Sequence, residues 1–528
     1  MTSLAHQRTE HRCDWKIGDS MTPTLVYGGR TYSPTWMEEE VRRVLAGLHD
    51  LDFKEGDTVA AMLRNSPHYV ALVLACRQAG LYLASINWHF KALEANHILV
   101  DSGARALFID DDLLPQVREG IPDEIAVVTT SSTSGTKDNA VAPSFANWAR
   151  WEDFGAGRPS MPPRAGTAHS AIAYTSGTTG KPKGVRRLPA AEDQPASMPQ
   201  RLQRVSDTVY GTGTAVTAYL CAPIYHSAAM NYVAHFCTLG ATLVLEPRFD
   251  AEQTLALIEK HRVTHAYLVP TMYQRLLNLD PSVRQRHDLS SLQHVASTGS
   301  PCPVPLKQAM IDWLGPVITE AYGSSEAGYT TFIDSATWAH QPGSAGRPLP
   351  DARVHILDDE GRPKPNGEIG LIYVRQHAMP DFTYINRPED RRAIERDGLI
   401  TLGDMGYINE EGFLYICDRK ADMVISGGVN VYPAEIEATL LTMPGVVDCA
   451  VFGIPDSEFG EGLAAAVQPR AGFEITPSEV QAFLRDRIAN YKVPRVVDMH
   501  TTLPREDSGK IFKRLLREPY WRDQTRAI

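Results

Sequence analysis

The chain has 528 residues, 43% of them hydrophobic and 22% charged, and a formal net charge of -11. That length exceeds what a single hydrophobic core sustains, so two or more domains are expected, and the composition is that of an ordinary soluble globular protein, for which disorder is not the default. The acidic balance argues against a surface built to neutralise nucleic-acid phosphates or anionic lipid, so anionic ligands must be held by local devices.

The opening segment MTSLAHQRTEHRCDWK lacks the apolar core of a signal peptide. From Pro34 to about Asp50 the residues Trp36, Val41, Val44, Leu45 and Leu48 recur at helical spacing, and the run Thr58 to Leu63 reads as a strand. Pro67 to Gly80 reads as helix, Leu81 to Ile86 as strand, Leu93 to Ser102 as helix and Arg105 to Ile109 as strand. This alternation predicts an α/β architecture with largely parallel sheets. The apolar run Tyr69 to Cys76 is too short to span a bilayer. Between about Thr129 and Gly166 the chain is rich in Ser, Thr, Gly, Pro and Asn and reads as a long surface connection. The rhythm returns at Ala241 to Leu245, Ala251 to His261 and His265 to Val269. After Asp418 there is room for a small α/β domain, with strands near Val446 to Gly453 and Leu463 to Val467 and helices near Pro433 to Thr442 and Pro477 to Ala489. The seven cysteines are scattered, odd in number and without a CxxC pair. That pattern predicts free thiols in a reducing compartment, the cytoplasm.

The strongest chemical signal is YTSGTTGKPKGV, Tyr174 to Val185, entered from the short run Ser170 to Ala173. Gly177, Gly180 and Gly184 permit close backbone approach, Thr175, Ser176, Thr178 and Thr179 supply hydroxyls, and Lys181 and Lys183 supply positive charge. Converging amides and hydroxyls make an anion-binding concavity suited to a nucleotide polyphosphate. Pro182 follows the lysine where a Walker A loop needs Ser or Thr, so this is a different phosphate loop. The similar letters of Ser131 to Asn139 lack the Gly-Lys-Pro-Lys-Gly continuation and are assigned no function.

With further motifs in order as far as Arg517, the chain resembles the adenylate-forming superfamily of acyl-CoA synthetases, peptide-synthetase adenylation domains and luciferases. The resemblance implies an α/β fold: a large N-terminal domain of layered sheets, residues 1–417, binding AMP and the acyl group, and a smaller mobile C-terminal α/β domain, residues 418–528. TEAYGSSEAG, Thr319 to Gly328, looks like the adenine and magnesium motif. Glu320, Ala321, Tyr322, Gly323, Ser324 and Ser325 would then border the nucleotide, Tyr322 stacking near the adenine, Gly323 leaving room for the acyl group and Glu326 binding Mg2+. Ser325 stands where the family usually has threonine. Gly299, Ser300 and Pro301 are implied beside the adenine and acyl group. Asp404 would accept hydrogen bonds from the ribose hydroxyls with Arg419 adding a contact, although Leu402 stands where threonine is usual. Asp418 falls at the family's hinge, and Gly427 and Gly428 lie on the loop that approaches the pantetheine arm. LPREDSGKIFKRLLR would deliver the catalytic lysine, Lys510. His226, Ala228, Met230, Gly299 and Gly323 are the implied acyl-pocket lining.

The resemblance implies that a carboxylic acid attacks the α-phosphorus of ATP, and that coenzyme A then takes the acyl group from the adenylate. Thr175, Glu326 and Lys510 would serve the first step. Loading of a separate acyl carrier protein, and a catalytically inert nucleotide-binding regulator, are the alternatives. Small and apolar lining residues suggest an aromatic, arylalkanoic or medium-chain acid. The expected partners are this acid, ATP and coenzyme A, without nucleic acid or a transmembrane segment, and with a homodimer left open.

Overall fold

The computed structural model describes residues 22–131, 148–159, 171–175, 182–189, 197–426, 429–456, 458–505 and 511–522. Ser176, Gly177, Thr178, Thr179, Gly180, Gly427, Gly428 and Lys510 lie outside the described residues.

The alternating rhythm is realised nearly residue for residue. Ser33 accepts from the Trp36 amide at 3.1 Å and opens the helix Pro34–Asp50. Ser66 does the same at the helix Pro67–Ala79, which ends on Gly80 at φ 66, a left-handed position suited to glycine. The apolar run within this helix is a buried core segment.

Two large, mainly parallel sheets carry the architecture. In the nine-stranded sheet the order is Arg347–Pro348, Gly328–Asp334, Ile318–Ser324, His294–Ser297, His265–Tyr267, Thr217–Leu220, Thr242–Leu245, Thr24–Tyr27 and Arg30–Tyr32. The six strands from Ile318–Ser324 to Thr24–Tyr27 pair in parallel, and antiparallel pairs close both edges. The eight-stranded sheet runs Phe382–Tyr384, Lys183–Arg187, Ala171–Thr175, Tyr82–Ser85, Thr58–Met62, Ala104–Asp110, Ala126–Thr130 and Trp148–Arg150. A six-stranded antiparallel sheet includes Asp404–Ile408 and Leu414–Arg419.

The C-terminal α/β domain is built on a five-stranded sheet around the long pair Val446–Asp456 and Gly460–Pro469, with the helices Pro433–Leu440 and Pro477–Arg485. Its core, including Val424, Ile436, Val451, Val467 and Leu484, is separate from the large cluster between the two big sheets. The second of these helices stops four residues before the expected Ala489.

Of the surface connection expected from Thr129 to Gly166, residues 132–147 and 160–166 lie outside the described residues, and the described parts are more ordered than expected. Its first residues finish the strand Ala126–Thr130, and Trp148–Arg150 adds the edge strand beside it. Trp151 is 1% exposed and packs edge-on against Phe108, with Phe154 beside it. Burying two aromatic rings outweighs the turn-forming composition around them.

In open α/β sheets, ligands gather beyond the carboxyl ends of the parallel strands. Thr175 ends one such strand in the eight-stranded sheet. In the nine-stranded sheet His226, Ala228 and Met230 follow Thr217–Leu220, Gly299 to Pro301 follow His294–Ser297, and Tyr322 to Glu326 end or follow Ile318–Ser324. The topology alone therefore gathers these segments to one side.

Candidate active site

One continuous cleft of ≈ 3950 Å³ receives every site residue inferred from sequence that is described, from Thr175 and Lys183 through His226 and Glu326 to Asp404, Asp418 and Arg419. A pocket for one small molecule spans about 300–1,000 Å³, so this space accommodates several ligand parts. Residues of the C-terminal domain, among them Glu437, Asp448 and Lys513, line it too.

Glu326 is buried at the turn of the hairpin formed by Ile318–Ser324 and Gly328–Asp334. Its Oε1 accepts from the Tyr384 hydroxyl at 3.0 Å and the Thr175 hydroxyl at 3.4 Å. Burial, then the Glu326 charge, push the Tyr384 phenol far up, so it stays a donor. Arg187 is buried behind the turn and donates to the carbonyls of Ser325 and Pro380. Burial pulls its guanidinium down to about 10, opposed by the neighbouring Glu326. Ser325 and Ser227 hydroxyls meet at 2.8 Å, and the Ser324 hydroxyl accepts from the Ala327 amide at 2.9 Å.

About the second carboxylate, Asp404, the Tyr322 hydroxyl donates to Oδ2 at 2.7 Å and Arg419 Nε to Oδ1 at 3.3 Å. Asp404 and Arg419 face each other across their strands, so the ladder itself sets the pair. Asp418, one residue before, accepts from the Arg419 and Ala434 amides. Burial pushes its carboxyl up, against the pull of Lys513. Lys513 itself pairs with Glu437 at 2.8 Å. Burial pulls the Lys513 ammonium down, but Glu437, Asp418 and Asp422 outweigh it and hold it above the ordinary lysine value.

Three of these cleft residues also make contacts that their motifs do not announce. Lys183, expected to face phosphate, pairs with Asp390 at 2.8 Å over the ring of Tyr384. The Glu320 carboxylate, expected at the nucleotide, accepts from the fully buried Lys307 ammonium at 2.7 Å. Gly323, read as room for an acyl group, is required by the hairpin itself: a Cβ there would meet the Gly328 carbonyl oxygen at 2.2 Å, beside a break in strand register. Arg187, Tyr384 and Asp390 were missed because each acts across a long sequence separation, and Lys307 because it meets Glu320 from a different element. Only the basic pair Arg186-Arg187 inside a buried strand could have signalled the first of them.

Residues 19–380 match the family of AMP-binding enzymes, and residues 435–510 match the AMP-binding enzyme C-terminal domain. The chain belongs to the AMP-binding enzyme family. Among its curated relatives, a fatty acid–[acyl-carrier-protein] ligase of Streptomyces coeruleorubidus is 32% identical over 96% of this chain and 95% of its own length. A feruloyl-CoA synthase of an Amycolatopsis species is 33% identical over 92% of this chain and 94% of its own length. Among solved structures, o-succinylbenzoate CoA synthetase of Bacillus subtilis in complex with its acyl-adenylate intermediate is similar, with a TM-score of 0.78 and 26% identity over 96% of both chains. The fold is therefore that of the adenylate-forming enzymes, as the motifs implied. Among the described residues no helix is long and apolar enough to cross a membrane.

Proposed function

We propose that this chain is an AMP-forming ligase that activates an apolar carboxylic acid as its acyl-adenylate and transfers the acyl group to coenzyme A in the cytoplasm. The observation that carries the reading is the placement of two buried carboxylates on one cleft, Glu326 held by Thr175 and Tyr384, and Asp404 held by Tyr322 and Arg419.

Asp404 would accept from both ribose hydroxyls, with Tyr322 and Arg419 fixing the carboxylate plane. Thr175 and the loop residues Ser176 to Gly180 would grip the phosphates, and Gly299, Ser300 and Pro301 would border the adenine and the acyl group. Both hydrogen bonds that described residues give Glu326 fall on Oε1, and no cluster of three or more acidic, histidine or cysteine side chains suited to a metal occurs among the described residues. A lone buried carboxylate beside hydroxyls suits magnesium, which keeps waters and takes phosphate oxygens in place of an all-protein cage. Bound there, the ion would neutralise charge developing on the phosphates.

In the first half-reaction the substrate carboxylate oxygen bonds to the α-phosphorus of ATP and pyrophosphate leaves. Lys510 would stabilise the charge at that centre. In the second, the coenzyme A thiol attacks the acyl carbon, AMP leaves and the thiol proton passes to solvent. We infer that residues 418–528 turn about Asp418 between the two steps, exchanging Lys510 for the loop at Gly427 and Gly428. The test is a screen of acid classes for pyrophosphate and AMP release, with mass spectrometry of the thioester. ADP and inorganic phosphate as products would sink the reading. Lys510→Ala should lower adenylation by about two to three powers of ten. Thioester formation from supplied acyl-adenylate should fall much less.

A carrier protein as acceptor is the second reading, favoured by the similarity to a fatty acid–[acyl-carrier-protein] ligase. Competition between free coenzyme A and candidate carrier proteins separates the two.

A further inference from the structure

Beside Gly323 and Ala228 the cleft wall carries a directed chain of hydroxyls. Tyr210 Oη lies 2.9 Å from the Ala228 carbonyl oxygen and 2.7 Å from Tyr329 Oη. A carbonyl oxygen can only accept, so the single Tyr210 proton goes to Ala228, and the second contact must use the proton of Tyr329. Burial pushes both phenols up, so neither ionises near neutral pH. Tyr210 is 0% exposed and is locked by perpendicular ring contacts with Tyr232 and Tyr329. Tyr329 is only half-buried, lines the cleft and sits opposite Gly323 in strand register. With its proton spent on Tyr210, the Tyr329 oxygen has only lone pairs left to offer a ligand.

We propose that Tyr329 is a specificity-determining residue that selects acids whose apolar tail carries a hydroxyl group. A hydroxyl on the ligand would donate to Tyr329 Oη and extend the chain Tyr329 to Tyr210 to Ala228. A methyl ether presents only lone pairs to lone pairs, and an unsubstituted tail leaves the Tyr329 acceptor unmatched. The inference rests on the ligase reading above and narrows its substrate class to hydroxy-substituted aryl or alkyl acids.

The experiment measures kcat/KM for adenylation in two matched series with the full-length enzyme. One series is the hydroxyphenylpropanoate isomers, phenylpropanoate and the methoxyphenylpropanoates. The other is ω-hydroxydodecanoate, dodecanoate and ω-methoxydodecanoate. In the series that reacts faster, the best hydroxy acid is expected to exceed both analogues by about tenfold or more, the effect of one matched polar contact. Tyr329→Phe should erase that preference while leaving turnover of the unsubstituted acid within about threefold, since the ring and its packing stay. Tyr210→Phe gives the sharper readout. It frees the Tyr329 proton, so the methoxy acid should rise past the unsubstituted one, an inversion that a merely structural tyrosine pair would not produce. A wild-type enzyme indifferent to the hydroxyl, or a preference that survives Tyr329→Phe, overturns the proposal while leaving AMP formation intact. Absence of AMP with every acid class removes the ligase reading and this inference together.

Discussion

Glu320 and Glu326 lie on one hairpin, six positions apart and both largely withdrawn from water, yet their surroundings differ in kind. Glu320 faces the ammonium of Lys307, itself 1% exposed and set over the ring of Trp338 at 5.0 Å. Charge meets charge, so that carboxylate is already compensated. Glu326 is held by the neutral hydroxyls of Tyr384 and Thr175, while the nearby Arg187 turns its donors to two backbone carbonyls. Arg187 acts on it only through space, so its negative charge is less fully compensated than that of Glu320. The motif letters alone do not separate the two, and the partner each side chain meets does.

The largest expected effect tests the compensated end. Lys307→Met leaves Glu320 buried without its cation and should lower unfolding free energy by about 3–5 kcal/mol, read from urea denaturation. Adding Glu320→Gln to it should restore most of that loss, and a double variant no more stable than the single one would break the contrast. At the other end Glu326→Gln should leave the denaturation midpoint nearly unchanged and lower adenylation by about 10²–10³-fold, equivalent to about 3–4 kcal/mol, with chelation of magnesium abolishing the rest.

A third polar group at the foot of the same strand sharpens the comparison through pH. Thr319 contacts His294 at 3.1 Å, and His294 stacks on His265, which burial and then the neighbouring histidines pull down to about 4. Its folded value lies below the ordinary one of about 6.5, so between these values the unfolded chain binds more protons and stability falls on acidification. Through His265 the loss should reach up to about 3 kcal/mol as pH drops from about 6.5 to about 4. His265→Asn should flatten that slope in denaturation curves. The smallest effect belongs to Tyr384→Phe, which removes one hydrogen bond to Glu326 and should slow adenylation about fivefold without changing the choice of acid.

The helices and parallel strands from Pro34 to Ile109 were legible because their signals are local: apolar spacing, serine caps and a terminal glycine. The edge strand Trp148–Arg150 was hidden because three residues carry almost no periodicity and the glycines around it imitate a loop. At the site the motif residues were legible as members of a recognised pattern. Their partners were not, because Tyr384 reaches Glu326 over 58 positions and Lys307 pairs with Glu320 from a separate helix. A sequence names which side chains carry charge, whereas the dielectric and the counter-charge that decide what a charge does arise only when distant segments pack.

The strand Lys183–Arg187 finds its outer neighbour only in Phe382–Tyr384, nearly two hundred residues later. At ribosomal speeds of about 5–20 residues per second, that partner emerges roughly 10–40 seconds after the strand it must cover. For that interval the growing polypeptide displays an unmatched ladder of amides and carbonyls, the surface that invites stray pairing with other nascent chains. Translation pauses or early stops before Phe382 would therefore deliver an adhesive fragment, and yield in a cell should depend on chaperone occupancy during that window.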